Sequence, residues 1–355
     1  MNSPLPPQPS SLPVFQSSNL PIFQPSISIL IAYPAPSPYL DEALAGIGRQ
    51  TYRNFEVILL PDEPSSRPWP PWCTEIATGK LRPAEKRNIG IARARGEIIA
   101  FLDDDAWPVD TWLEKALPHF ADTSVVGVGG PGVTPPDDPF LAQMSGRVYE
   151  NLLVSGGYRH RYRAGAPGET DDWPSCNFFV RADAVRQLNG FRTDYWPGED
   201  TYMCMELTKT LGKRIVYEPG ALVYHHRRAL FLPHLRQIGR YGLHRGYFAR
   251  HFPSTSRRIG YMMPSFFVLG LVGGGVGAVW LPWLRRPYAA AVAFYLLATC
   301  AASVAKSPRI WLLTWLGVMA THLTYGVRFL VGYCARRLPG EVQRFDHPSE
   351  KRERK

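Results

Sequence analysis

Arg87-Asn88-Ile89-Gly90-Ile91-Ala92-Arg93-Ala94-Arg95-Gly96-Glu97-Ile98-Ile99-Ala100-Phe101-Leu102-Asp103-Asp104-Asp105-Ala106-Trp107-Pro108 is the stretch that decides how this chain folds. Ile89, Ala92 and Ala94 interleave with Arg93 and Arg95, which predicts a helix. Gly96 is expected to stop it, because glycine takes a left-handed cap without a Cβ penalty. Ile98 to Leu102 is a continuous apolar run, the pattern of a strand buried on both faces of a parallel sheet. Three carboxylates follow at its carboxyl end, the edge where open α/β sheets bind ligands.

Adjacent aspartates repel one another, so the triplet costs stability unless a cation or a set of donors neutralises it. Hard divalent ions such as Mg²⁺ or Mn²⁺ take few protein carboxylates and fill their remaining positions with phosphate oxygens. The triplet therefore reads as a metal–diphosphate site. The competing reading makes Asp105 the cap of a helix beginning near Trp107-Pro108, with proline in its first turn.

Outward from this centre, Ile27 to Tyr33 is β-branched, apolar and bounded by proline, as a first strand would be. Residues 38 to 50 read as a helix. Tyr52 to Asp62 reads as a second strand with an acid at its carboxyl end, Pro61-Asp62, and Glu63 beside it. A carboxylate there can accept hydrogen bonds from ribose hydroxyls or a base, or Asp62 can be a turn residue before Pro64. Lys86 and Arg87 either meet a diphosphate or are solvated at the surface. Trp112 to Phe120 predicts a helix and Val125 to Gly130 another buried strand; residues 64 to 80 and 134 to 172 carry little pattern.

Two later blocks complete the picture. Trp173-Pro174-Ser175-Cys176-Asn177-Phe178-Phe179-Val180-Arg181 runs on to Leu188-Asn189-Gly190-Phe191, and Trp196-Pro197-Gly198-Glu199-Asp200 opens a helix. Asp200 can take the proton of an attacking hydroxyl, a poor nucleophile until that proton leaves; equally, Glu199-Asp200 can cap the helix and complement its dipole. Alternation from Leu222 predicts a strand that turns His225 and His226 to opposite faces. One of them can complete a Mn²⁺ shell or hold phosphate, and a packed histidine is the alternative.

From about residue 26 to residue 228 these blocks resemble glycosyltransferase family 2. The resemblance implies an α/β architecture of the GT-A type, with a mixed, mostly parallel sheet flanked by helices. It implies a nucleoside-diphosphate sugar donor and a divalent ion, Mn²⁺ or Mg²⁺. It assigns the ion to Asp103, Asp105 and His225, donor contacts to Asp62, Arg87, Asp103, Asp104 and Glu199, and the role of general base in an inverting transfer to Asp200. The chain departs from the family pattern at Pro34-Ala35-Pro36-Ser37-Pro38, in the first nucleotide-contacting loop, and separately at Pro61 and at Met205-Glu206.

The 355 residues carry a formal net charge of +10 with 45% hydrophobic and 20% charged residues. No nucleic-acid-binding module is visible, and the apolar stretches after residue 259 make anionic lipid headgroups the expected partner of the basic excess. Residues 259–284, 287–305 and 310–334 approach or exceed the roughly 20 residues needed to span a bilayer, so about three transmembrane helices are expected. Three spans would place the basic tail of residues 335–355 opposite the catalytic domain, against the positive-inside tendency, which leaves a re-entrant segment open. Residues 229–258 form a basic amphipathic segment, either an interfacial helix on an anionic membrane or a packed helix; Gln237-Ile238-Gly239-Arg240-Tyr241 within it faintly resembles the QxxRW motif of processive polysaccharide synthases. The Pro- and Ser-rich residues 1–25 read as a disordered tail without a signal peptide, and the scattered Cys73, Cys176, Cys204, Cys300 and Cys334 fit a reducing compartment.

The expectation is a membrane-anchored transferase with its catalytic domain in the cytoplasm, acting on a lipid-linked saccharide or growing polysaccharide of the cell envelope. A polyprenyl-phosphate glycosyltransferase and a non-catalytic sugar-nucleotide-binding scaffold are the alternatives.

Overall fold

The structure, a computed structural model, describes residues 26–338. The expectations for residues 1–25 and for the tail beyond Leu338 lie outside the described residues. Strand β1 (Ile27–Ala32) leads to α1 (Pro38–Gly48), β2 (Phe55–Leu60), β3 (Cys73–Glu75), α2 (Pro83–Arg93) and β4 (Ile98–Asp103). Strand β5 (Ala106–Pro108), α3 (Trp112–Ala116), β6 (Val125–Gly129) and β7 (Gly132–Val133) follow. Then come α4 (Phe140–Tyr149), α5 (Leu152–Ser155), a 3₁₀ turn (Gly156–Arg161), β8 (Gly168–Thr170), β9 (Asn177–Arg181), α6 (Ala182–Gln187) and α7 (Glu199–Met205). After β10 (Arg214–Tyr217) and β11 (Val223–His225) the chain is helical, through α8 (Leu232–His251), α9 (Pro253–Ser256), α10 (Ile259–Trp280), α11 (Arg285–Ala302) and α12 (Pro308–Cys334).

Eight strands form one sheet in the order β3-β2-β1-β4-β9-β6-β10-β8. The first four are mutually parallel, β9 runs antiparallel between β4 and β6, and β10 is parallel to β6. This is the expected mixed, mostly parallel sheet. Both faces are covered: Ile27, Ile29 and Ile31 pack with Leu40, Ile47 and Trp112 on one side, and Leu30, Ile58 and Leu60 pack with Ile91, Val185 and Met203 on the other. Double-sided burial is why β1 and β4 read as unbroken apolar runs, each such side chain contributing about 1.5–3 kcal/mol.

Two local expectations are corrected. Helix α2 ends at Arg93, and Gly96 has no left-handed backbone. Gly96 is required by closeness instead, since a Cβ there would lie 2.5 Å from the Ser28 backbone nitrogen of β1. No helix begins at Trp107-Pro108; those residues form β5, and the next helix starts at Trp112. Asp105 is therefore not a helix cap.

Within the basic segment, helix α8 packs against α12. Gly246 and Gly332 bring α8 and α12 into backbone contact: a Cβ on Gly246 would overlap the carbonyl of Phe329, and one on Gly332 the carbonyl of Leu243. Small residues at such a crossing let two helix backbones approach closely. Tyr202 of α7 joins Leu243, Tyr247 and Phe248 of α8, and Met144 and Val148 of α4 join Val318 of α12. The helical bundle is thus docked on the sheet domain at two places. Of the three apolar stretches, α10 with 22 residues and α12 with 27 are long and apolar enough to cross a membrane, and α11, which opens on Arg285-Arg286, is not.

Candidate active site

Strand β4 ends on Asp103, the chain turns through Asp104 and Asp105, and β5 turns back into a second, three-stranded sheet. There β11 pairs antiparallel with β5, placing His225 across from Ala106. Asn177, fully buried at the start of β9, fixes this corner by accepting from the Trp112 indole at 2.8 Å and donating to the Ala221 carbonyl at 2.8 Å. The result brings one ligand atom each from Asp103, Asp105 and His225 within 4.8 Å of one another.

His225 Nε2 lies 3.1 Å from Asp105 Oδ1. Burial opposes charge on the imidazole, but the Asp105 carboxylate and a hydrogen bond outweigh it and push His225 up to about 10. Burial likewise pushes the Asp105 carboxyl up, and the His225 charge reverses this and holds it below the usual range. At Asp104 burial and its two acidic neighbours outweigh the His225 charge and lift the carboxyl to about 7. His226 points the other way, to Asp138 and to Glu42 at 2.9 Å, with its ring against Tyr39 and Trp107. Of the two histidines, His225 faces the carboxylates. Two carboxylates and an imidazole are a donor set that suits a divalent ion such as Mn²⁺.

Arg87 and Lys86, expected to meet a diphosphate, are buried in α2 and already engaged. Lys86 pairs with Asp62 and donates to the Tyr33 carbonyl at 2.6 Å, so Asp62 is held at the end of β2 by an ion pair. Arg87 donates to Asp103 Oδ1 at 2.7 Å and lies 3.6 Å from Glu199 Oε1, while its Nε has no partner among the described residues. One guanidinium therefore ties the aspartate turn to the first turn of α7. Glu199 is buried with it; burial and the Asp200 charge raise its carboxyl to about 7 against the pull of Arg87.

Asp200 follows Gly198, whose φ of 131° is a conformation L side chains rarely adopt. Its carboxylate accepts from the Ser175 and Thr201 backbone nitrogens at 3.4 and 2.7 Å. Burial and then the neighbouring Asp172 raise its affinity for a proton, and Arg245 opposes them.

Sequence reading missed Asp172, Arg245, Cys176 and Tyr241. Cys176 lies close enough to His225 to help raise its proton affinity, and the Tyr241 hydroxyl accepts from Gln237 at 3.0 Å and feels the Asp200 charge. Asp172 lay in a stretch without periodicity, and its partner Arg245 is 73 residues further on. The faint Gln237 to Tyr241 motif was the one signal pointing here.

With this geometry in place, comparisons with known proteins are informative. The family model Glycosyl transferase family 2 matches residues 28–188, which takes in the aspartate turn and stops before Asp200 and His225. The pre-mycofactocin glycosyltransferase of Mycobacterium tuberculosis is 36% identical over 149 residues, 41% of this chain and 30% of that protein. Glycosyltransferase AglE of Haloferax volcanii is 29% identical over 123 residues, 34% of this chain and 37% of that protein. The match thus spans about a third of the length of these curated relatives. Among solved structures, a mannosyltransferase of Pyrobaculum calidifontis in complex with GDP-Man and Mn²⁺ is similar at a TM-score of 0.51 and 22% identity, over 85% of this chain and 87% of that one. Residues 28–188 match the glycosyl transferase family 2 model, and the sheet domain has the GT-A fold.

Proposed function

We propose that this chain is a membrane-anchored, inverting glycosyltransferase that moves a sugar from a nucleoside-diphosphate sugar to a hydroxyl of a lipid-linked saccharide or growing polysaccharide. The observation that carries the reading is the buried Arg87 bridge, which joins the acidic turn of Asp103 to the helix turn bearing Glu199-Asp200. Asp103, Asp105 and His225 would hold Mn²⁺ or Mg²⁺, which when bound supplies Lewis-acid stabilisation of the leaving diphosphate. Asp62, oriented by Lys86, accepts from the nucleoside, and Asp104 lies toward the ribose or sugar. Arg87 and Glu199 hold the two halves of the site in register.

Asp200 receives the proton of the acceptor hydroxyl. Its raised proton affinity suits this task, because a carboxylate at its ordinary value is a weak base near neutral pH. Residues 26–228 form the catalytic unit in this reading, with α8 as a docking helix and α10 and α12 as the anchor. The exposed row of Phe266, Leu269, Val272, Val276, Val279 and Trp280 on α10 supports a lipid environment. The positive charge of the chain supports a cytoplasmic orientation beside anionic lipid, where nucleotide sugars are made.

The test is nucleoside-diphosphate release from UDP-, GDP- and dTDP-sugars by membranes holding the full chain, with Mn²⁺ or with chelator, and with polyprenol-linked acceptors. Metal-dependent release from one donor, reduced at least about 100-fold in Asp200→Asn, is the expected result. Release that survives Asp200→Asn points to a lipid phosphate as nucleophile and ends the general-base reading.

A further inference from the structure

Asp172 sits where the sheet domain meets the helical bundle, and its side chain is almost fully buried. Four elements converge on this one carboxylate. Oδ1 accepts from the Thr201 hydroxyl of α7 at 3.0 Å. Oδ2 accepts from Arg245 of α8 at 2.6 Å and from the Tyr261 hydroxyl of α10 at 3.0 Å. Arg161 of the 3₁₀ turn lies 3.2 Å from Oδ2. The preceding residue repeats the connection, since Asp171 pairs with Arg258 just before α10 at 2.7 Å.

A buried carboxylate is here satisfied by two guanidiniums and two hydroxyls, and removing the carboxylate leaves buried positive charge uncompensated. What this set grips is decisive. Thr201 follows Asp200 directly in the first turn of α7, so its bond to Asp172 fixes the rotation of the turn that aims the Asp200 carboxylate. The Ser175 backbone nitrogen, three residues after Asp172, contacts Asp200 itself.

We propose that Asp172 is a positioning residue for Asp200, and that α8 and α10 reach the reacting carboxylate through it. The proposal rests on the reading of Asp200 as the base for the acceptor hydroxyl. It assigns the helical bundle a part in setting the geometry and charge of the site, besides anchoring it. The groups facing Asp200 are Asp172 from the loop before β9, Glu199 and Cys204 from α7, Arg87 from α2, and Arg245 and Tyr241 from α8. Asp172 raises the proton affinity of Asp200 and Arg245 lowers it. Removing the Asp172 charge therefore leaves Asp200 ionised to lower pH.

The experiment measures kcat, donor KM and the acid limb of the kcat profile for the full chain in membranes with Mn²⁺. The donor is the one that supports turnover in the wild-type chain. Asp172→Asn is expected to lower kcat about tenfold, leave donor KM within about twofold, and move the acid limb to lower pH. Thr201→Val, which deletes one hydroxyl and keeps both ion pairs, is expected to lower kcat about fivefold at unchanged donor KM. A purely structural role predicts less folded protein with an unmoved limb. Wild-type kcat and limb in both variants, or a loss that tracks folded protein alone, overturns the proposal. Asp200→Asn is run beside them: activity lost there while both variants behave as wild type refutes the positioning role alone, whereas activity retained there removes the base and the positioning role together.

Discussion

The two halves of the site are built in different ways. The Asp103–Asp105 corner is made by a strand end, a tight turn and one antiparallel pairing, with His225 delivered by the register of β11 against β5. The Asp200 side is made by one helix turn whose orientation depends on Asp172, Arg245 and Tyr261, contributed from residues scattered along the chain. The aspartates of the first half lie inside the segment that matches the family, and so does Asp172, whereas Asp200, His225, Arg245 and Tyr261 lie beyond it. Contiguous chain encodes the acidic turn, strand pairing adds His225, and long-range packing sets the surroundings of Asp200.

The comparison can be broken at three points. The largest effect is expected at the corner: Asp105→Asn should remove at least about 100-fold of the metal-dependent turnover, as expected when charge stabilisation at a leaving group is lost. Titrating Mn²⁺ against the wild-type and variant chains checks it; a variant that saturates at the same Mn²⁺ concentration with normal turnover would take Asp105 out of the ligand set. Next, the dependence of the Asp200 side on the bundle is tested without touching the site. Gly246→Val drives a side chain into the Phe329 carbonyl, and overpacking of this kind costs about 1–3 kcal/mol. A lowered unfolding midpoint in detergent, with Mn²⁺ binding retained, is the expected outcome; loss of Mn²⁺ binding alongside it would show that the two halves are not separable.

The smallest effect separates the two histidines. His225→Gln should weaken Mn²⁺ dependence strongly, whereas His226→Gln, at a histidine that pairs with the buried Asp138 and with Glu42, should lower the yield of folded protein and change the Mn²⁺ dependence of the folded chain by less than about threefold. Equal losses in both would mean that the whole β5–β11 corner, and not one imidazole, holds the site.

Much of the first half was legible in sequence because its signals are local. An apolar run followed by acids is a strand end whatever surrounds it, and alternation at Val223, Tyr224 and His225 sends neighbouring side chains to opposite faces. Even there, local rules misjudged Gly96, and they left open a helix start at Trp107-Pro108 that the structure does not contain. Gly96 is demanded by the approach of β1 rather than by a helix cap, and Ala106 to Pro108 was claimed by pairing with β11 before a helix could start. Arg87 shows the limit differently: its charge suggested a phosphate, yet burial beside Asp103 and Glu199 made it an internal bridge.

By itself the sequence determined the sheet, the acidic turn at its carboxyl edge, the Glu199-Asp200 helix start and the apolar helices, because each depends on residues a few positions apart. Tertiary structure decided which histidine joins the aspartates, that α8 is a packed helix, and that Asp172 gathers α7, α8 and α10 onto one carboxylate. The physical reason is that ion pairs and backbone contacts between distant segments leave no periodic trace in the chain. They exist only once burial has brought their partners together and made an unpaired charge costly.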